Sequence, residues 1–351
     1  MKQLVRREFS DSGYVFAQSA EEIAAKYGFD KIAMLGSNEN PYPPSDKVTA
    51  AAISALKYVN RYPDPKNSKF KEAVRKYILD SCIAVSGNGM DGVIETVIRT
   101  LVNPKEKIAI SMPTFSVYSL MAKAASAEII SIPRENDFSA DADEFIEKAK
   151  DAKLSFLCSP NNPTGTVTPA EDIEKILKNT DGVLFLDCAY AEFSDIDYSK
   201  LLRYDNLIIG RTMSKVYGLA GLRIGYAFIP KWLESPYNSA ATPFTLSRVS
   251  EDAAAAALSD TEYRNNFIAH VKKWREIFVR EIPYPVYESG ANFVLFNTAP
   301  LSSDYAVEKL AEKGVIVRSC RSFPGLGDTY VRVSIGDDWE NMRFLSAVKN
   351  L

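Results

Sequence analysis

Between about residues 45 and 235, short apolar runs alternate with longer stretches in which apolar positions recur at helical spacing. The runs at 83–86, 107–112, 154–159, 183–187 and 207–210 have the length of buried strands. The stretches at 68–79, 91–101 and 170–178 carry the amphipathic period of helices. Strand–helix alternation of this kind predicts a three-layer α/β/α unit around a mostly parallel sheet. Functional residues of such sheets gather at the carboxyl ends of the strands. The most unusual residues of this chain fall there: Gly87, the 161–165 turn, the 187–190 segment, and Ser214 with Lys215.

After Trp232 the texture changes. Long helical stretches at 248–258 and 261–281 precede two strands, at 292–297 and 330–335, and a last helix from Trp339. This pattern predicts a smaller α+β unit. The expected organisation is an N-terminal arm (1–44) packing with the small domain, a large domain (45–235) and a small C-terminal domain (236–351). A length of 351 residues fits two domains. The proline clusters at 41–44 and 160–163 read as turns rather than linkers.

Composition narrows the function more than the fold. With 46% hydrophobic and 25% charged residues, the chain reads as an ordinary soluble globular protein. Its net charge of -3, from 42 basic and 45 acidic residues, gives no general attraction to nucleic acid or to an anionic membrane. The four cysteines form no C-x-x-C pair, and the single histidine, His270, lies in a predicted helix. These counts argue against a Cys/His metal site, a disulfide framework and a Ser-His-Asp hydrolase, so no metal is expected. The charged first ten residues lack the apolar core of a signal peptide, and no run approaches the ~20 apolar residues of a spanning helix. A reducing cytoplasm is the expected location.

Gly87-Asn88-Gly89-Met90-Asp91-Gly92 is a literal G-x-G-x-x-G between a predicted strand and a predicted helix. A dinucleotide site would also need an acid at the end of the next strand to hold a ribose hydroxyl, and that strand ends Ser111-Met112-Pro113-Thr114. The anion-binding physics survives: glycines let backbone N–H groups close on a phosphate at a helix N-terminus.

Taken singly, the remaining candidates have plain readings. Lys215 is a surface charge, Asp187 a helix cap or metal ligand, the 159–165 segment a tight turn, and Arg332 an ion-pair member at the core's edge. Together they match a different chemistry. A lysine amine forms a Schiff base with an aldehyde cofactor, whose electronics the protein must then tune. Asp187 offers a carboxylate to a ring nitrogen, Tyr190 and Asn162 can reach a ring hydroxyl, and Phe115 can stack on the ring. Gly89, Met90, Asp91, Ser214 and Arg223 can hold a phosphate.

These residues stand in motifs that run the length of the chain: Asn38-Glu39-Asn40-Pro41-Tyr42-Pro43, Arg61-Tyr62-Pro63, Gly87-Asn88-Gly89-Met90-Asp91 and Ser159-Pro160-Asn161-Asn162-Pro163-Thr164-Gly165. Asp187-Cys188-Ala189-Tyr190 and Ser214-Lys215 follow, then Gly218-Leu219-Ala220-Gly221-Leu222-Arg223-Ile224-Gly225, and Tyr330-Val331-Arg332-Val333-Ser334-Ile335-Gly336. In this order they resemble the pyridoxal-phosphate (PLP) dependent aminotransferases of the aspartate aminotransferase fold (fold type I), and among them the subgroup acting on histidinol phosphate.

The resemblance implies roles. Lys215 would carry the cofactor and shuttle a proton, Asp187 would keep the ring nitrogen protonated, and Asn162 and Tyr190 would bond the ring oxygen. Thr212 would join the cofactor contacts. Tyr62 would reach the phosphate in a neighbouring subunit's site, making a homodimer necessary for activity. Arg318 and Arg332 would bind the substrate's anionic end, with Asn38, Asn162 and Tyr14 as further substrate contacts. The 317–323 stretch places a further arginine, Arg321, near that end, and two neighbouring arginines suit a dianionic phosphate. The chain departs from the family at Cys188 and Gly92, where glutamates are common, and at Phe115, where a tyrosine often stands.

The expected reaction is histidinol phosphate plus 2-oxoglutarate giving imidazole-acetol phosphate plus glutamate, in amino-acid biosynthesis. Three alternatives stay open: an aromatic aminotransferase of the same subgroup, a PLP decarboxylase acting on a phosphorylated amino acid such as threonine phosphate, and a non-catalytic PLP-binding module.

Overall fold

The structure, a computed structural model, describes residues 4–6, 9 and 19–351. Tyr14 lies outside the described residues. In chain order the elements begin with helix α1 (Ala20–Tyr27), strand β1 (Ala33–Met34), α2 (Asp46–Leu56) and α3 (Ser68–Tyr77). Next come β2 (Ala84–Asn88), α4 (Gly89–Leu101), β3 (Lys107–Met112), α5 (Val117–Ala124), β4 (Glu128–Pro133) and α6 (Ala142–Ala149). They are followed by β5 (Leu154–Cys158), α7 (Ala170–Asn179), β6 (Val183–Asp187), β7 (Leu207–Thr212), β8 (Ile224–Phe228), α8 (Glu234–Ala240) and α9 (Arg248–Leu258). The last elements are α10 (Thr261–Glu281), β9 (Phe293–Asn297), α11 (Ser303–Ala311), β10 (Val315–Ile316), β11 (Arg318–Ser319), β12 (Tyr330–Ser334) and α12 (Asp338–Val348).

Seven strands form one sheet in the order β2-β8-β7-β6-β5-β3-β4. The pairs from β7 through β6, β5 and β3 to β4 are parallel, whereas β8 runs antiparallel to both β7 and β2. The predicted α/β/α unit with a mostly parallel sheet is therefore the one observed. Strands β4 and β8 are not among the predicted strands. β4 is an edge strand with no neighbour beyond it in the sheet, and only Ile132 is fully buried within Ile130–Pro133. β8 falls inside a glycine-containing segment that reads as motif. Gly225 is needed there because a methyl group at that position would collide with the Gly89 carbonyl.

The central strands are apolar on both faces, as a parallel sheet covered on both sides requires. Successive side chains of a strand alternate between faces. On β6, Leu184 and Leu186 enter one core with Ile173, Ile176 and Phe193, while Phe185 enters another with Val93, Ile94, Tyr118 and Phe156. This alternation decides the site: Asp187, two residues after Phe185, emerges on the same face as Phe185.

A second sheet joins β11, β12 and β9 in that order, all antiparallel. β1 pairs in parallel with β10, and Met34 N–H donates to Glu340 Oε1 at 2.9 Å. The early segment 33–38 is thus stitched to the last third of the chain. Helix α12 starts on a capping box between Asp337 and Glu340. Helix α9 packs against α2 and α3, and α8 against α4. These contacts set residues 234–258 beside the first half of the chain, and α10 is the helix that packs on β9 and α12. His270 on α10 bonds the Gly336 carbonyl through Nε2 at 2.8 Å and stacks with Phe267, a structural position.

Candidate active site

Beyond the carboxyl ends of β6 and β7, the chain encloses a cavity of about 270 Å³. Three regions of sequence converge on it. Met90, Asp91, Phe115, Asn162, Asp187, Tyr190, Thr212, Ser214, Lys215 and Arg223 come from the large sheet and its loops. Arg318 and Arg332 come from the second sheet, and Asn38 from the segment after β1. Most of the predicted site residues therefore meet in one place.

The floor is built by α4. A 13-residue helix presents unpaired N–H groups and a partial positive charge at its start. Gly89 begins it at φ 70°, and a side chain there would lie 2.5 Å from the Arg223 guanidinium. Glycine thus lets Arg223 close over the helix start, where Arg223 Nη2 reaches Asp91 Oδ2 at 3.1 Å. Gly87 serves packing: a methyl group would stand 2.7 Å from the Val93 nitrogen. Ser214 N–H donates to Thr212 Oγ1 at 3.1 Å, and Thr212 Oγ1 lies 3.0 Å from Ser214 Oγ. Helix start, hydroxyls and guanidinium together form a cup for a phosphate.

Asp187 is buried, and among the described residues both of its hydrogen-bond partners are neutral. Tyr118 Oη donates to Oδ2 at 2.6 Å and Ala189 N–H to Oδ1 at 3.0 Å. Burial pushes its carboxyl up to about 6, with the two hydrogen bonds pulling the other way. Lys215 Nζ donates to the Ser37 carbonyl at 3.2 Å. Burial, with the Arg332 guanidinium second, brings its ammonium down to about 8, so a sizeable fraction is neutral near physiological pH.

Two hydrogen bonds fix which atoms face the cavity as donors. Asn162 Oδ1 accepts from Arg332 Nη1 at 2.5 Å, which leaves the Asn162 amide nitrogen as donor. Tyr190 Oη accepts from Asn38 Nδ2 at 3.1 Å, which leaves the Tyr190 proton for a further acceptor. Asn161, beside Asn162, is locked by Thr114, Pro113 and Thr164 and does no more than hold the turn. Arg332 also donates to the Gly36 carbonyl at 2.6 Å, and Arg318 is its register partner across β11 and β12.

Two predicted contacts fall elsewhere. Arg321 lies outside the cavity, its side chain 69% exposed and paired with Asp304 Oδ2 at 2.7 Å. Strand alternation puts Arg321 on the side of Ser319, where both reach the Asp304 carboxylate, opposite to Arg318. The neighbouring arginines are Arg318 and Arg332. Tyr62 is 79% exposed, stacks on Phe244 at 4.6 Å between ring centroids, and does not line this chain's cavity. Conversely, Tyr118, Cys158, Gly36, Ser37 and Glu39 line the cavity without having been singled out. The signal for Tyr118 was its place three residues after Phe115, close to one helical turn. Glu39 stands within the Asn38–Pro43 motif.

The residues fit a pyridine aldehyde phosphate. Among the described residues the buried carboxylate has no charged hydrogen-bond partner, the amine is brought down to about 8, and an anion cup lies beyond them.

The profile of the family described as aminotransferase class I and II matches residues 30–348. The chain is 67% identical to histidinol-phosphate aminotransferase of Methanocorpusculum labreanum, covering 100% of both chains. It is 55% identical to that of Methanoculleus marisnigri, again over 100% of both. Of solved structures, the histidinol-phosphate aminotransferase from Clostridium acetobutylicum superposes with a TM-score of 0.85 at 27% identity, over 91% of this chain and 98% of that one. The Sinorhizobium meliloti enzyme, solved with pyridoxal-5'-phosphate, shares the fold at a TM-score of 0.87 and 24% identity, over 99% and 96%. Matched over most of its length and at such identity, the chain belongs to the class I and II aminotransferase family.

Proposed function

We propose that this aminotransferase uses pyridoxal phosphate to move the amino group of histidinol phosphate to 2-oxoglutarate. The observation that carries the substrate is the pair Arg318 and Arg332, adjacent in register and both lining the cavity. Two guanidiniums offer the forked, permanently charged donors that a phosphate dianion prefers. The names borne by full-length relatives at 67% and 55% identity support the same reading.

The cofactor, when bound, supplies an electron-accepting ring that stabilises the negative charge left when the substrate carbon loses its proton. The chain's residues do the rest. Lys215 would hold the cofactor's aldehyde, and its Nζ would serve as the base that accepts the substrate carbon's proton and as the acid that gives it back. An amine brought down to about 8 can do both near neutral pH. Asp187 pairs with the ring nitrogen and keeps it protonated. The Asn162 amide and the Tyr190 hydroxyl donate to the ring oxygen, and Phe115 covers a ring face. Met90, Asp91, Thr212, Ser214 and Arg223 surround the phosphate.

The arrangement also supports a homodimer with shared sites. Tyr62 and Phe244 belong to an exposed apolar set that includes Ile53, Leu56, Tyr58 and Val59. Tyr62 would enter the partner subunit's site. The division into arm, large domain and small domain is proposed with its hand-over at α10, because α8 and α9 pack on elements of the first half.

Coupled assays with a panel of donors test the substrate. Turnover of histidinol phosphate that requires 2-oxoglutarate is the expected result. Brisk turnover of phenylalanine or tyrosine without histidinol phosphate would make it an aromatic aminotransferase. Carbon dioxide release from threonine phosphate with no keto acid would make it a decarboxylase.

A further inference from the structure

Tyr118 has no part in the proposed reaction, yet among the described residues it is the only side chain that hydrogen-bonds Asp187. It lies on the first turn of α5, three residues after Phe115, and is fully buried. Its ring stacks on Phe156 at 4.8 Å with the planes 8° apart, and Phe115 makes a T-shaped contact with it at 5.7 Å. Phe156 and Phe185 share the strand face on which Asp187 emerges, so stacking and hydrogen bond follow from one alternation. The stacked and T-shaped neighbours and the full burial hold the ring, which leaves the hydroxyl little choice of direction.

We propose that Tyr118 is a positioning residue: its hydroxyl, aimed by the Phe156 and Phe115 contacts, orients the Asp187 carboxylate and keeps it ionised against the cofactor's ring nitrogen. The inference rests on the reading of the cavity as a pyridoxal phosphate site. Each Asp187 oxygen accepts one neutral donor, Tyr118 on Oδ2 and Ala189 N–H on Oδ1. This holds the carboxylate's plane while leaving it unneutralised. A tyrosine suits the task because burial and the carboxylate beside it raise its own hydroxyl well above the usual range, so it stays a donor. A charged donor would have taken over the pairing that the ring nitrogen needs.

The groups facing Asp187 define what a pH experiment reads. Tyr118 comes from α5, Asp91 from α4, Cys158 from β5, Cys188 and Tyr190 from the segment after β6, and Lys215 from the loop after β7. Asp91 raises the Asp187 carboxyl and Lys215 lowers it, while Cys158, Cys188 and Tyr190 stay neutral because burial raises all three. Without Tyr118 Oη, the main force opposing burial is lost.

The test is Tyr118→Phe, which keeps the ring and its stacking. The direct readout is the nitrogen-15 NMR shift of ring-labelled pyridoxal phosphate bound to the native protein and to the variant, followed from pH 6 to 9. The native ring nitrogen should stay protonated across the range. The variant's should move toward the unprotonated value, or titrate within the range, with kcat falling about ten- to a hundred-fold and KM changing less than threefold. Identical nitrogen shifts and titrations in both proteins would overturn the proposal, whatever happened to activity. If the native protein failed to take up the labelled cofactor, the reading of the site would fall, and this inference with it.

Discussion

Two buried carboxylates lie five residues apart in this chain and have opposite fates. Glu192 sits behind the large sheet, where Arg211 Nη2 meets it at 2.9 Å. Asp187 sits in front, where its partners are a hydroxyl and a backbone N–H. Arg211 and Thr212 are consecutive on β7, so their side chains leave on opposite faces of the sheet. One reaches the closed ion pair, and the other reaches the cavity. Behind the sheet, charge is cancelled within the chain. In front of it, charge is left open and shows as a carboxyl at about 6 and an ammonium at about 8. An ion pair that the chain completes is structure; one it leaves half-made marks a site.

Lys215→Ala should cut kcat by roughly four orders of magnitude, since it removes both the covalent attachment and the proton carrier. Its thermal midpoint without cofactor should not fall, because the ammonium is held there against burial. A large loss of stability would move Lys215 into the class of Glu192.

Asp187→Asn and Glu192→Gln should give crossed outcomes. The first should lower kcat about a hundred- to a thousand-fold and leave cofactor-free stability equal or higher. The second strands the Arg211 guanidinium and should cost about 3 kcal/mol, read by urea unfolding, with kcat within about threefold. If both variants lost activity equally, the division between front and back would fail.

Arg318→Lys keeps the charge and loses the fork. It should raise KM for a phosphorylated donor about ten- to a hundred-fold while changing kcat much less, checked by initial rates.

The pH dependence of stability probes the same contrast. With its carboxyl raised to about 6, folded Asp187 keeps a proton between about pH 4 and 6 that the unfolded chain has lost. Stability from this group is therefore present at low pH and lost as pH rises through that window, about 3 kcal/mol in cofactor-free protein. Subtracting the profile of Asp187→Asn from that of the native protein isolates it. A flat difference would mean that Asp187 is already ionised.

The smallest effect belongs to Arg321→Ala. Its exposed pair with Asp304 should contribute well under about 1 kcal/mol, and KM should stay within about twofold. A tenfold rise in KM would return Arg321 to the substrate.

Much of this was legible because strand ends are legible. The runs at 154–159, 183–187 and 207–210 became β5, β6 and β7, and the residues following them became the site. What stayed hidden depended on distance or on a local turn. Tyr118 and Asp187 are 69 residues apart, and only the shared strand face brings them together. Strand β8 was masked because Gly225 weakens its apolar run, although that glycine is what admits α4 so closely. Arg321 was misassigned because it stands three residues after Arg318, an odd step that puts it beside Ser319 on the Asp304 side of the strand.

The segment 36–38 carries a consequence for the order of folding. Gly36 accepts from Arg332 and Asn38 N–H donates to Ser334, each contact joining residues 296 apart in sequence. Within the large sheet, β5 to β7 lie side by side in chain order, so each pairing closes a loop of a few tens of residues. Closing a longer loop costs more chain entropy before any contact repays it, and non-local contacts slow folding. The β5–β7 centre of the sheet can therefore form first, with the Asp91–Arg223 contact of the cup, 132 residues apart, and the arginine end of the cavity added afterwards. Pulsed hydrogen exchange during refolding would then show amides of β5, β6 and β7 protected before those of β12, so that the site is closed last, by the pairing of the chain's two ends.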